Sequence, residues 1–326
     1  MFGYVRFLLA TLVIVSHTTK NFTINSVYFD IGKMAVFGFY ILAGLVSAKL
    51  IDQVFKKNIV KYLKDRFLRI YPMALFWQLV SILALILCFD NLLNLSLYKF
   101  LLHLLLIPLN YVSLLDLSVI SNRNITDNFI LPPYFSLGIE VQIYLLFAFF
   151  LCRGKKDIMG ILALFSFFNY CIFSLTKFDS EFWQIQFTYI YIFSIFWIFY
   201  LGYLIYIKDI KKIVRYYFFI CVLIFIELLT DSFYGVQPYC SIALLIFIPL
   251  IYLLQNRVGL KLKFNNFFGS MSFIIYCNHY LFILILQENK IGYDFWTIFF
   301  MAFLSGLITY YLIEKPLNKF RKTKKI

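Results

Sequence analysis

Two ionisable residues stand in the first apolar stretch of the chain, Arg6 and His17, eleven residues apart. A helix turns about 100° per residue at ~3.6 residues per turn, so eleven steps return nearly to the same face. The two side chains then share a stripe, roughly 16 Å apart along the axis at ~1.5 Å per residue. A guanidinium holds anions, and a neutral imidazole takes a proton from a hydroxyl near neutral pH. Ionisable groups in a lipid-crossing helix turn inward and mark functional sites. Each residue also has a plainer reading, Arg6 as a snorkelling anchor and His17 as an interfacial residue at the other end.

Further along, Glu140 lies in PPYFSLGIEVQIYLLF, with Tyr144 one turn on and on the same face. A carboxylate within lipid costs about 2.5–3.5 kcal/mol on insertion scales unless it is paired or neutral. A functional carboxyl or one that locks helix packing by hydrogen bonding would both fit. Ser272, Tyr276 and His279 recur at spacings of four and three in GSMSFIIYCNHYLF, forming a polar stripe on one helix face. Arg66 and Arg69, in DRFLRIYP, are three apart just before a span. Such guanidinium forks can clamp phosphates, or serve as topogenic charge. Glu314, in YLIEKPLNKF, ends the last span beside Lys315 and Pro316, where an ordinary interfacial charge also fits.

The elements that position these residues are membrane helices. The 326 residues are 63% hydrophobic and only 14% charged, and the mean hydropathy is +0.84. Lipid accepts that much apolar surface and water does not. The fold class expected is all-α, a polytopic membrane helical bundle, read as a single integral-membrane domain over 1–326 with no separate soluble domain. Ten runs are long enough to span: about 3–19, 31–50, 70–89, 134–152, 158–175, 187–207, 213–231, 238–254, 267–286 and 293–313. The first lacks a small-residue cleavage site and reads as a retained span.

The segment 98–115 is shorter and holds His103, Pro108 and Asn110. If it does not cross, only Lys20, Lys33, Lys99, Arg123, Lys177 and Lys290 of the 30 Lys and Arg fall in outer loops. If it crossed, every inner charge from Arg153 onward would move outside, against the positive-inside bias. We therefore expect about ten spans, both termini cytoplasmic, and a re-entrant or interfacial segment at 98–115. Residues 52–66 read as an amphipathic helix on the inner surface. The net charge of +14 thus reports topology, with no nucleic-acid partner implied. The six cysteines have no metal spacing and read as buried apolar residues, and no metal site is expected.

In this order the pieces resemble acyltransferase family 3 of integral membrane proteins, over essentially the whole chain. Arg6-x10-His17 is similar to its arginine–histidine motif, VFGFYILAGL (36–45) to its aromatic segment, and RFLRIYP (66–72) to its RxxR stretch. FSLGIEVQIY, which holds Ser136, Glu140 and Tyr144, resembles WSL-x-x-E-x-x-x-Y. GSMSFIIYCNH resembles SY-x-x-Y-x-x-H, and IEKP the terminal glutamate–proline. Ala43 stands where the family usually has serine, Phe135 where it has tryptophan and Phe273 where it has tyrosine. The family often carries a C-terminal hydrolase-like domain, so this chain is expected to be of the stand-alone type.

The resemblance implies acyl transfer, commonly acetyl from acetyl-CoA, to hydroxyls of a cell-surface polysaccharide or lipid-linked sugar. It implies no permanently bound cofactor, with acyl-CoA as donor substrate and a glycan or glycolipid as acceptor. It also implies a setting among the lipids of a bacterial inner membrane. Arg66, Arg69 and Glu314 would meet acyl-CoA at the cytoplasmic face. His17 would act as base or transient acyl carrier, Glu140 would orient it, and Arg6 would polarise the thioester or hold the pantetheine arm. Ser136, Tyr144, Ser272, Tyr276 and His279 complete the candidate set. A transporter or flippase of lipid-linked sugar also predicts many spans and intramembrane charge, but it would favour internal repeats, and none is evident. The sequence carries no signal for oligomeric state.

Overall fold

The computed structural model describes residues 2–19, 22–24, 27–88, 96–111, 114–115, 131–178, 183, 185–230, 237–257 and 262–323. Lys20, Arg123, Lys261, Lys324 and Lys325, positions 112–113 of the short segment, and residues 89 and 231 of two expected spans lie outside them. Helix α1 (Phe2–Thr18) is followed by a two-stranded antiparallel ladder, β1 (Phe22–Ile24) and β2 (Val27–Phe29), with Thr23 opposite Tyr28. Next come α2 (Ile31–Lys49), α3 (Ile59–Cys88) and α4 (Leu97–Leu105). The chain continues through α5 (Phe135–Cys152), α6 (Lys156–Leu175), α7 (Ile192–Ile207) and α8 (Ile210–Leu229). It ends with α9 (Gln237–Asn256), α10 (Asn265–Glu288), α11 (Phe295–Thr309) and α12 (Lys315–Thr323).

Local chemistry sets the boundaries. Asp30, Ser96, Asp209 and Asp294 each accept a backbone N–H at the start of α2, α4, α8 and α11, satisfying donors that a helix start leaves open. Left-handed residues at Gly154, Lys208 and Phe264 end three of the turns that join the helices. α7 is apolar on every side and almost wholly buried, so it is a core helix. Its Gly202 and the Gly44 of α2 lie at the crossing of those two helices, where a Cβ on either would overlap backbone of the partner. Small residues at such crossings let apolar helices close to van der Waals contact, which replaces the hydrophobic drive absent in lipid.

Among the described residues, eight helices are long and apolar enough to cross a membrane. Eight of the ten expected runs match them. At the other two positions, α1 has 17 residues, and α8 carries Lys211, Lys212, Arg215 and Glu227. The segment at 98–115 forms the nine-residue α4 and a 3-10 turn (Ile107–Tyr111), broken at Leu106 with φ 63°. Nine residues reach only about 13 Å, far less than the ~30 Å hydrocarbon core. The segment is tied inward instead. Gln142 of α5 donates to Asn110 Oδ1 at 2.7 Å and accepts from Tyr111 at 2.8 Å, and Gln186 donates to Asn110 O at 2.9 Å.

The separate surface helix expected at 52–66 does not form. α2 runs into a π-helical turn (Leu50–Val54), the chain breaks at Lys56 and Lys57 with φ 47° and 62°, and α3 begins at Ile59. Tyr62, Asp65 and Arg66 are buried, so the first turns of α3 belong to the bundle interior.

Candidate active site

α1 is held between α2 and α10. At its start the Gly3 N–H donates to Asn265 Oδ1 at 2.9 Å, and a Cβ at Gly3 would overlap the Asn265 carbonyl. Glycine therefore sets how closely α1 docks, and with it where Arg6 and His17 point. Their eleven-residue spacing delivers them to two different cavities within the bundle.

The first, an arginine chamber of about 700 Å³, is lined by Arg6, Arg66 and Arg69, with Glu140, Tyr144, Ser136, Ser272 and Tyr276 and the apolar Val36, Phe39 and Ala43. Glu140 accepts a hydrogen bond from Tyr144 one turn on. Arg66 pairs with Asp65 and lies 5.4 Å over the Tyr144 ring. Asp65 is held in turn by Arg321 of α12, at 3.0 and 3.2 Å. Arg69 pairs with Glu314, donates to Gly269 O at 3.0 Å and stacks 5.0 Å over Phe273. Glu314 is buried and also accepts from Ser270 at 3.1 Å and Asn318 at 3.0 Å. Among the described residues Arg6 makes no hydrogen bond or ion pair. Asp65 and Glu314 behind the wall thus hold Arg66 and Arg69, and Arg6 is the lining guanidinium left open to an anion.

The second, a histidine chamber of about 940 Å³, is lined by His17, Ser16, Thr19, Asp30, Lys33, Tyr189, Pro133 and Phe135. The His17 ring is exposed to it. Asp30 pairs with Lys33 at 3.3 Å at its rim. Behind His17, the His279 ring centroid is 5.5 Å away and Tyr280 packs edge-on at 5.3 Å. His279 is fully buried, and its Nδ1 lies 2.9 Å from Ile275 O. A carbonyl only accepts, so Nδ1 carries the hydrogen and Nε2 presents a lone pair. That Nε2 has no partner among the described residues. It is therefore an open acceptor beside the His17 ring.

Val36 and Tyr276 line both chambers and so form the wall between them. Tyr276 is latched there. Its hydroxyl donates to Pro133 O at 2.8 Å and lies 2.6 Å from Ser136 Oγ.

The sequence-predicted residues thus divide. Arg6, Arg66, Arg69, Ser136, Glu140, Tyr144, Ser272 and Tyr276 meet around one cavity, and His17 faces the other with His279 behind it. Two expected roles need revision. Glu140 lies in the arginine chamber and is bonded to Tyr144, so it does not orient the imidazole of His17. Glu314 pairs with Arg69 and is not among the residues lining the chamber, so in this structure it holds that guanidinium. Asp65, Ser270, Asn318, Arg321, Asp30 and Lys33 join the site without having been marked as candidates by the sequence, where Lys33 counts only as an outer-loop charge. Asn318 and Arg321 recur four and seven residues after Glu314, a helical spacing that would have placed them on its face.

Comparison with known proteins identifies the family. A family profile described as Acyltransferase domain matches residues 2–315. A relative described as "Uncharacterized protein", from Aquifex aeolicus (strain VF5), is 24% identical over 199 residues, 59% of this chain and 88% of that protein. No solved structure matches the chain. With the profile spanning nearly every residue that builds the two chambers, the chain belongs to acyltransferase family 3 and is a multi-pass integral membrane acyltransferase.

Proposed function

We propose that this protein is a membrane O-acyltransferase that moves an acyl group, acetyl by family habit, from cytosolic acyl-CoA to a hydroxyl of a cell-surface polysaccharide or lipid-linked sugar. The observation that carries the reading is the pair of chambers sharing one wall, an arginine-lined cavity toward the basic end of the bundle and a histidine-lined cavity toward the other. In this reading α1 and α8 also cross, both termini are cytoplasmic, and the membrane is a bacterial inner membrane. The charges of α8 favour that placement, since Lys211, Lys212 and Arg215 collect in its first turns, where long stems reach the interface.

The donor enters the arginine chamber with its phosphates toward Arg66 and Arg69, leaving Arg6, deeper and without an ion pair among the described residues, for the thioester carbonyl. The acceptor hydroxyl enters the histidine chamber beside His17. His17 takes the hydroxyl proton, the oxygen attacks the thioester carbon, the C–S bond breaks and CoA leaves as the thiolate. His279 Nε2, an acceptor without a partner among the described residues, lies beside the His17 ring; a hydrogen bond from the His17 N–H to it during turnover would fix which ring nitrogen acts as base, as a positioning partner does for a catalytic imidazole. A variant mechanism on the same residues passes the acyl group through His17 as a transient carrier. In either case the thioester must pass Tyr276, so the latch on Tyr276 has to open during turnover.

The test supplies labelled acetyl-CoA and extracted host glycans and glycolipids to membranes holding the protein or its His17→Ala variant. Label entering a glycan fraction with the intact protein alone supports the reading. Full transfer by His17→Ala at normal protein level overturns the role of His17.

A further inference from the structure

Away from both chambers, α6 and α8 each lean on α7 but diverge from one another at the basic end, leaving a groove of about 940 Å³. Its rim carries Lys156, Lys212 and Arg215, with Asp157 the carboxylate among its lining residues. Tyr200 of α7 lies at its floor, opposite Gly160, where a Cβ would come 3.2 Å from the Tyr200 hydroxyl. Glycine at 160 therefore keeps the floor open. On α6, positions 156, 160, 164 and 168 recur every four residues, and on α8 212, 215 and 219 recur every three or four. Each face thus runs from a cation at the end of the bundle to an aromatic ring deeper in, Phe168 on one side and Phe219 on the other, both exposed.

We propose that this groove seats one anionic phospholipid of the surrounding bilayer. The lipid phosphate lies between Lys156, Lys212 and Arg215, and an acyl chain follows Phe168 and Phe219 towards the membrane interior. Three features favour a lipid over a soluble anion. The cavity opens sideways onto a face of exposed apolar residues; its cations gather at one end only; and its length along α6, roughly 18 Å at ~1.5 Å per residue, suits a headgroup with part of a chain. Basic pockets between membrane helices bind phosphate-bearing headgroups in this way. Asp209 at the start of α8 lies 3.4 Å from Lys212, a pairing that a lipid phosphate would share. The seat is independent of the acyl-transfer chemistry and rests on the part of that reading in which α8 crosses the bilayer beside α6.

The experiment uses the full chain in phosphatidylcholine nanodiscs doped with phosphatidylglycerol, with bound lipids counted by native mass spectrometry. Two cations near an anionic surface strengthen binding by roughly fivefold each. The Lys212→Gln/Arg215→Gln variant should therefore lose about 25-fold of the preference for phosphatidylglycerol. The control Lys61→Gln/Lys64→Gln, which removes the same charge from exposed positions of α3 outside the groove, should keep it. Gly160→Leu, which fills the floor and leaves every cation in place, should lose the tightly bound lipid. Equal losses in both double variants would mean diffuse surface attraction and would overturn the proposal, as would no preference in the unaltered protein. Displacement by glycerol phosphate as effective as by phosphatidylglycerol would mean a phosphate site without a lipid seat, and would also overturn it.

Discussion

The ion pair between Arg69 and Glu314 gives the most exacting test of how the arginine chamber is built. Its side chains are 14% and 2% exposed, and Glu314 also accepts from Ser270 and Asn318, so one carboxylate ties α3, α10 and α12 together. Glu314→Ala removes the counter-charge and leaves Arg69 with the Gly269 carbonyl and the Phe273 ring alone. Breaking a buried pair from one side costs about 3–5 kcal/mol. Were the lower figure expressed wholly as misplacement of the guanidinium, the KM for acyl-CoA would rise roughly 150-fold, at tenfold per ~1.4 kcal/mol. Glu314→Gln keeps an acceptor for Ser270 and a polar contact for Arg69, so its rise should be about tenfold, one such step. The assay is a double-mutant cycle on KM and kcat, with folded protein measured by size-exclusion fluorescence. If Glu314 acts only by holding Arg69, the Arg69→Ala/Glu314→Ala double variant is no worse than Arg69→Ala alone. Losses that multiply would show that Glu314 acts on the donor independently, and an unchanged KM in Glu314→Ala would refute the argument entirely.

Other consequences follow from the same geometry. Tyr276→Phe keeps the ring but breaks its bonds to Pro133 and Ser136; at about 1 kcal/mol per net hydrogen bond, acceptor-independent hydrolysis of acyl-CoA should rise several-fold, and an unchanged ratio of hydrolysis to transfer would deny the latch. His279→Ala should lower kcat with little change in KM for acyl-CoA, because His279 sits behind His17 and outside the arginine chamber; a pure KM effect would contradict the positioning role. Gly202→Ala places a methyl group against α2 backbone, and overpacking of this kind costs about 1–3 kcal/mol, visible as a lowered melting temperature in detergent. Glu227 is wholly buried in α8 with neither carboxyl oxygen partnered among the described residues; Glu227→Leu should raise the melting temperature, and a fall would reveal a partner that the carboxyl holds.

What could be read beforehand was whatever depends on periodicity within one helix. The common face of Arg6 and His17, the Glu140–Tyr144 pair and the stripe of Ser272, Tyr276 and His279 all follow from ~3.6 residues per turn; all but His279, which lies behind His17, line the two chambers. Partnerships between helices were not readable in this way. Chemical plausibility alone joins Glu140 to His17, yet packing of α5 against α3 puts Glu140 with the arginines and leaves His279 beside His17. Glu314 looked like a ligand contact because its neighbours in space, Arg69 and Ser270, lie 245 and 44 residues away in sequence. The long α3 was hidden for another reason. Its lysines at 61 and 64 gave the signature of a surface helix, while Tyr62, Asp65 and Arg66 on the opposite side were already inside the bundle.

The central claim is that an acyl group crosses from the arginine chamber to an acceptor beside His17. Sealed inverted vesicles, with labelled acetyl-CoA supplied only outside and the host glycolipid in both leaflets, test it most directly. The account predicts label on acceptor in the lumenal leaflet alone, lost in His17→Ala and reduced in Arg69→Ala. Label on acceptor in the donor-facing leaflet, or transfer undiminished by His17→Ala, would contradict it.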